Sequence, residues 1–217
     1  MNLRGRLYFQ LLEHHRKPRA FFATLGNDPR LFVDLVSRVY RGKSEPRHHL
    51  DAHRAALAQN AWWILRNWRA LPGQREDGTI DDDHLERWVR SARLALTEVD
   101  RADIGDEQIG QVLAASPLGA DGIWPAESVR SIIEAIGSPS IEAGIHVGVV
   151  NDRGFTTRGP YDGGEKERNI AARYKRWAQQ ASGEWPRTSR ILRRLAEEYE
   201  REAGRHDAEA QVSADTQ

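Results

Sequence analysis

The chain has 217 residues, of which 39% are hydrophobic and 29% are charged, and its formal net charge is zero. This composition is typical of a globular protein and argues against a disordered chain. The absence of cysteine excludes disulfides, thiolate metal sites and cysteine nucleophiles, and no apolar stretch has the length that spans a membrane.

Apolar residues recur at helical spacing along most of the chain. Asp28 followed by Pro29 is typical of a capped helix start, and Gly42 is a helix stop. Capping residues, prolines and glycines at comparable positions predict where further helices begin and end along the chain. The predicted helices cover residues 29–42, 47–70, 82–99, 106–115, 125–136, 139–150, 164–182 and 186–204. Residues 205–217 are small and polar, and we expect a flexible tail there.

The β-branched run from Ile145 to Val150 fits a short strand or a buried helix end, and we expect the helix. The predicted fold class is therefore all-α, either stacked helical hairpins of the HEAT or solenoid kind or an irregular helical bundle. Residues 1–204 are expected to form a single helical domain. Within it, 1–75, 76–152 and 153–204 are candidate sub-units.

Two Asp-Gly turns support the hairpin alternative. The apolar residues that follow Asp77-Gly78 recur at the same offsets after Asp121-Gly122, which lies 44 residues further along. Each turn also follows an apolar helix that ends near a proline, Pro72 in one case and Pro117 in the other. A spacing of about 40–47 residues is typical of two-helix solenoid repeats.

The charges are unevenly distributed along the chain. Residues 1–75 carry 14 Lys/Arg and 5 Asp/Glu, residues 76–152 carry 5 and 16, and the remainder carries 13 and 11. Complementary solvated faces on neighbouring helices are the favoured interpretation, with separate partner surfaces as the alternative. The basic first third is compatible with a nucleic-acid contact, which is not favoured because no motif that reads nucleic acid accompanies it.

The segment from Asn151 to Glu165 is the most unusual part of the sequence, with four glycines and a proline. Long loops in compact domains are often functional. Arg153 and Arg158 have the chemistry to clamp a carboxylate or phosphate, and Tyr161 offers a stacking surface. The N–H groups at the start of the next helix, beside Glu165, offer an anion site.

The favoured alternative is an ordered connection, packed over neighbouring helices, whose arginines pair with Asp152, Asp162 and Glu165. The seven tryptophans are interpreted mostly as core, because Trp62, Trp63, Trp68, Trp88 and Trp177 lie in helical patterns. Trp124 precedes a proline at a helix start, which is typical of an anchoring residue. The candidate ligand- or partner-binding residues are Trp124, Asp152, Arg153, Arg158, Tyr161 and Glu165.

No catalytic, phosphate-binding or metal-binding motif is present in the sequence. His49 and His53 have the spacing of two metal ligands on a helix, but a packing or solvated pair is favoured. We therefore predict no catalytic residues, no metal and no cofactor, and the chain is expected to be non-enzymatic and cytoplasmic.

Several segments carry a resemblance: Asp28 to Val36, Trp124-Pro125, the loop from Gly154 to Glu165, and Trp185-Pro186. Together they are similar to the C-terminal helical region of large uncharacterised bacterial proteins, some of which look like defence or sensor NTPases. The resemblance covers most of residues 20–205 and carries no assigned chemistry. It implies an accessory region of such a protein.

The leading functional hypothesis is a helical interaction module that binds a protein partner. The 44-residue correspondence, the charge segregation and the lack of catalytic residues favour it. The alternative is a small-ligand or anion-binding domain, possibly enzymatic, that uses residues 151–165, with Arg153 and Arg158 as the anion clamp.

Overall fold

The computed structural model describes residues 19–46, 51–153 and 163–215. Within these ranges the chain forms nine α-helices and no β-strand, so the predicted all-α fold class is confirmed. The helices are α1 (Arg19–Asn27), α2 (Pro29–Val39), α3 (Ala52–Asn67), α4 (Asp82–Glu98), α5 (Ala102–Leu113), α6 (Glu127–Ile136), α7 (Pro139–Asp152), α8 (Glu165–Ala181) and α9 (Pro186–Asp215).

Local capping residues set several of the helix starts. The Asp28 side chain accepts hydrogen bonds from the backbone N–H groups of the first turn of α2, including that of Arg30 at 3.0 Å. Asp81 does the same for α4 through the N–H of His84, and Ser138 for α7. Each cap satisfies a donor that has no partner within its own helix.

Several helix boundaries differ from the sequence prediction by a few residues; α5, for example, spans Ala102–Leu113 where 106–115 was predicted. Helix α1 was not predicted, and α9 continues past the expected stop at Gly204 to Asp215, through most of the expected tail. The helical interpretation of Ile145 to Val150 is confirmed, because the run lies within α7.

The chain divides into two compact units, Met1–Gln108 and Ile109–Gln217. The boundary coincides with none of the candidate sub-unit boundaries. The single domain predicted from the sequence stays a prediction, as does the stacking of hairpins.

An aromatic cluster forms the core of the first unit, where α2 packs against α3 and α4. The Phe32 ring lies 5.0 Å from that of Trp88 and 6.0 Å from that of Trp68, measured between centroids. The Trp88 indole N–H also donates to the carbonyl oxygen of Leu25 at 2.9 Å. By contrast, Trp62 and Trp63 on α3 are 44% and 39% exposed. The interpretation as core residues is therefore wrong for these two.

The second unit is built around the hairpin of α8 and α9, with α6 and α7 packed against α9. A buried carboxylate, Glu142 on α7, accepts hydrogen bonds from Arg187 and Arg190 in the first turns of α9. Glu134 on α6 accepts from the backbone N–H groups of Arg187 and Thr188. Both carboxylates therefore stabilise the start of α9, where the helix dipole favours negative charge.

The two Asp-Gly turns have the same hydrogen bonds. In the first, Arg75 N–H donates to Thr79 O at 2.9 Å and Gly78 N–H donates to Arg75 O at 3.0 Å. The equivalent bonds of the second, 44 residues on, run from Gly119 to Ile123 at 2.8 Å and from Gly122 to Gly119 at 3.0 Å. Both central glycines have positive φ angles, 85° and 75°, which a side chain would oppose. The correspondence seen in the sequence is therefore also one of backbone structure.

Candidate functional site

An open cleft of about 310 Å³ lies within the second unit. It is lined by residues that follow α5, by the end of α7, by three residues of α8 and by one residue of α9. Four of its lining residues are aromatic, and all of them except Trp177 are buried: Trp124, Tyr174, Trp177 and Tyr199. We call this cleft the aromatic pocket.

Tyr174 is the centre of the aromatic wall. Its ring meets those of Trp124 and Trp177 edge to face, at centroid distances of 6.2 and 5.5 Å, and stacks on that of Tyr199 at 5.7 Å. The Trp124 ring is fixed because its indole N–H donates to the carbonyl oxygen of Ser116 at 2.9 Å. Burial raises the pKa of Tyr174 to about 12, so its hydroxyl is neutral at physiological pH.

Arg153 at the end of α7 also lines the aromatic pocket, and its charge is already compensated. Its guanidinium lies 3.9 Å from the ring centroid of Tyr199. Nη1 is 2.7 Å from an oxygen of Glu202, and Nη2 is 3.5 Å from an oxygen of Glu198. Arg153 therefore ties α7 to α9, and these partners on α9 differ from Asp152, Asp162 and Glu165, with which the sequence predicted that the arginines pair.

Arg173 on α8 is the second cation of the pocket, and its contacts differ from those of Arg153. Its guanidinium lies 5.3 Å from the ring centroid of Trp177, one helical turn away, and the side chain is exposed. Among the described residues no carboxylate forms an ion pair with it. Within the described part of the chain, Arg173 is thus a pocket arginine without an ion-pair partner.

The aromatic pocket brings together three of the six residues that the sequence singled out: Trp124, Asp152 and Arg153. Glu165 lies in the first turn of α8 and is not part of the lining. Arg158 and Tyr161 lie outside the described residues.

Arg173, Tyr174 and Tyr199 were not predicted from the sequence as pocket residues, and Trp177 was predicted to lie in the core. A local signal was available for the three residues on α8. Trp177 follows Arg173 by four positions and Tyr174 by three, and both spacings make side chains neighbours on a helix. Nothing local connects them to Tyr199.

The anion site expected at the start of α8 is occupied by a carboxylate of the chain itself. Asp207 on α9 accepts a hydrogen bond from the backbone N–H of Gly164 at 2.8 Å and another from the guanidinium of Arg168. The close fit also depends on Gly164, since a Cβ there would lie 2.3 Å from the backbone oxygen of Ala203. The N-terminal end of α8, which would attract a free anion, therefore binds the carboxylate of Asp207 on α9.

The Asp207 contact predicts a pH-dependent stability. The N–H of Gly164, and then the guanidinium of Arg168, hold the pKa of Asp207 below its usual value. Because the folded-state pKa is lowered, the ionised group stabilises the fold above the unfolded-state pKa of about 4, and this contribution is lost as the pH falls through the folded-state pKa. We expect Asp207→Asn to lower Tm at pH 7, and we expect its difference from the wild-type Tm to shrink as the pH is lowered towards 2.

Thermal unfolding followed by circular dichroism between pH 2 and pH 7 measures this difference. Glu197→Gln, which removes an exposed carboxylate from the same helix, is the control and should follow the wild-type curve. A Tm difference that persists unchanged at the lowest pH would contradict the assigned role of the ionised Asp207.

Two observations bear on other kinds of site. The described residues contain no group of three or more His, Asp or Glu side chains arranged to hold a metal ion. No described helix is long and apolar enough to cross a membrane.

The chain matches no protein-family model, no curated protein and no solved structure.

Proposed function

We propose that this chain is a non-enzymatic helical interaction module that binds a protein partner, and that the aromatic pocket receives one side chain of that partner. The carrying observation is the pocket itself, which combines Trp and Tyr rings with arginine. These residue types contribute most of the binding energy in protein interfaces. A cytoplasmic location and an accessory role beside a larger bacterial sensor or defence protein belong to the same proposal.

The size of the aromatic pocket favours a side chain over a cofactor. Its volume of about 310 Å³ lies at the lower end of the range of roughly 300–1,000 Å³ for small-molecule sites. The anion-clamp alternative loses support because Arg153 is paired with Glu198 and Glu202 and because Asp207 occupies the start of α8.

Site-specific photo-crosslinking tests the proposal. A photoreactive amino acid replaces Val149, which lines the pocket, in the full chain expressed in its own host. The control position is Ala172, which is exposed on α8 and does not line the pocket. We expect one discrete protein adduct from position 149, none from position 172, and loss of the adduct when Trp177→Ala is added.

Circular dichroism of the purified Trp177→Ala variant must show a folded protein, so that lost crosslinking reports on the pocket. Equal adducts from both positions, or adducts that survive Trp177→Ala, count against the proposal. Saturable binding of a small metabolite in the pocket, with no protein adduct, would favour the ligand-binding alternative.

A further inference from the structure

Helix α3 is apolar on two opposite faces, whereas a surface helix ordinarily carries charged and polar residues on its second face. Ala61 and Ile64 are buried on the face that packs against the rest of the first unit. The opposite side is exposed along the whole helix, and we call it the outer face of α3. It carries Ala52, Ala55, Ala56, Gln59, Trp62, Trp63 and Arg66.

The outer face has the spacing of a contact between two helices. Ala52, Ala56, Gln59, Trp63 and Arg66 follow one another at intervals of four, three, four and three residues, so they form one row along the helix. Helices that pair side by side have the same intervals in their contact rows. Exposed apolar rows of this kind are typical of surfaces that bind another protein.

The side chains of the outer face are unequal in size along the helix. Its first half holds three alanines, and its second half holds Trp62 and Trp63. Two copies of this face in parallel would place tryptophan against tryptophan and leave a gap between the alanines. In an antiparallel pair centred on Gln59, the two tryptophans of each copy lie against the alanines at positions 55 and 56 of the other. Only the antiparallel direction therefore allows close packing.

The charges at the two ends of α3 favour the same direction. Asp51 caps the helix through the backbone N–H of Arg54, and its side chain is exposed. Arg66 lies in the last turn, with its guanidinium 5.4 Å from the ring centroid of Trp62. An antiparallel pair places Arg66 of each copy beside Asp51 of the other, whereas a parallel pair places like charges together. Opposite ends of the helix dipoles also meet in the antiparallel pair.

We propose that the outer face of α3 binds the same face of a second copy of this chain, with the two helices antiparallel about a two-fold axis at Gln59. A self-complementary surface of this kind is what a two-fold dimer requires. Tryptophan and arginine, which this face exposes, are the residue types that contribute most to interface energies. The proposal goes beyond the aromatic pocket, because α3 belongs to the first unit.

Single cysteines report which positions of the two copies meet, because the chain has no cysteine of its own. Under mild oxidation Gln59→Cys should give a disulfide-linked dimer of the full chain, since position 59 lies opposite itself at the axis. Ala52→Cys is the matched control from the same row. Its two copies are separated by roughly 21 Å along the helix at 1.5 Å per residue, whereas a disulfide joins Cα atoms about 4.4–6.8 Å apart. A mixture of Ala52→Cys and Arg66→Cys should form the crosslink that Ala52→Cys alone does not.

Sedimentation velocity of the full chain measures the association itself. We expect a reversible dimer with a dissociation constant on the order of 10 µM, because one short helix forms a small interface. Trp63→Ala should weaken the dimer about ten-fold. Ala55→Trp should weaken it at least as much, because it fills the space that receives Trp63, whereas unspecific apolar association would become stronger. Leu94→Ala removes an exposed apolar side chain from α4 and should change nothing.

Three results would overturn the inference. The first is a chain that remains monomeric at about ten-fold above the expected dissociation constant, which leaves the outer face to a different protein. The second is equal crosslinking of Gln59→Cys and Ala52→Cys. The third is a dimer that Trp63→Ala and Ala55→Trp both leave unchanged, since it would form through another surface. All of these substitutions lie at exposed positions, and circular dichroism of each variant verifies that its helices are intact.

Discussion

Replacing Trp88 by alanine is expected to lower the free energy of unfolding by about 4 kcal/mol. Trp88 is only 3% exposed, and its ring packs against those of Phe32 and Trp68 at centroid distances of 5.0 and 5.6 Å. Alanine would leave a cavity in this cluster, and the carbonyl oxygen of Leu25 would lose its indole donor. The expected loss is a large part of the 5–15 kcal/mol, roughly, that stabilises a typical domain.

Urea denaturation followed by far-UV circular dichroism measures the effect of Trp88→Ala. Trp62→Ala is the matched control, since it removes the same side chain from an exposed position, and it should cost less than about 1 kcal/mol. Trp88→Phe keeps an aromatic ring but not the hydrogen bond to Leu25. Its loss in free energy of unfolding should lie between those of Trp88→Ala and Trp62→Ala. Equal losses at positions 62 and 88 would contradict the assignment of Trp88 to the core.

The helices were predictable wherever a local signal marks them. Asp28, Asp81 and Ser138 cap their helices through contacts with the next turn, so sequence alone locates them. Helix α9 extends beyond Gly204 for a non-local reason. Glycine costs a helix interior about 1 kcal/mol, but Asp207, on the far side of it, binds the first turn of α8.

The candidate site was predictable only in part, for the same physical reason. The unusual composition around Asp152 and Arg153 marked the end of α7, and both residues line the aromatic pocket. The partners of Arg153 are Glu198 and Glu202, far along the chain, and no local pattern announces them. Similarly, Trp62 and Trp68 share an apolar pattern, and only the packing of α2 and α4 determines which of them is buried.

Replacing Arg130 by alanine should lower the free energy of unfolding of the second unit by about 3 kcal/mol. The side chain is 1% exposed, and one of its nitrogens donates to Asp121 at 2.7 Å and lies 3.3 Å from Glu127. The guanidinium also lies 5.5 Å from the ring centroid of Trp185. We place the loss at the lower end of the range for broken buried ion pairs, because both carboxylates are partly exposed and water can solvate them.

The second Asp-Gly turn provides a way to separate the ion pair from the packing of Arg130. Asp121→Asn keeps the side-chain oxygen that accepts the N–H of Ile123 but removes the charge that pairs with Arg130. A double-mutant cycle of Asp121→Asn with Arg130→Ala, measured by urea denaturation, should give a coupling energy of about 1 kcal/mol.

The first Asp-Gly turn is the internal control. Asp77 accepts the equivalent hydrogen bond from the N–H of Thr79, and the position equivalent to Arg130 holds the exposed Glu86. Asp77→Asn should therefore change the urea midpoint little. A coupling energy near zero would mean that the ion pair with Asp121 contributes nothing, and that Arg130 stabilises the second unit through its packing and its contact with Glu127.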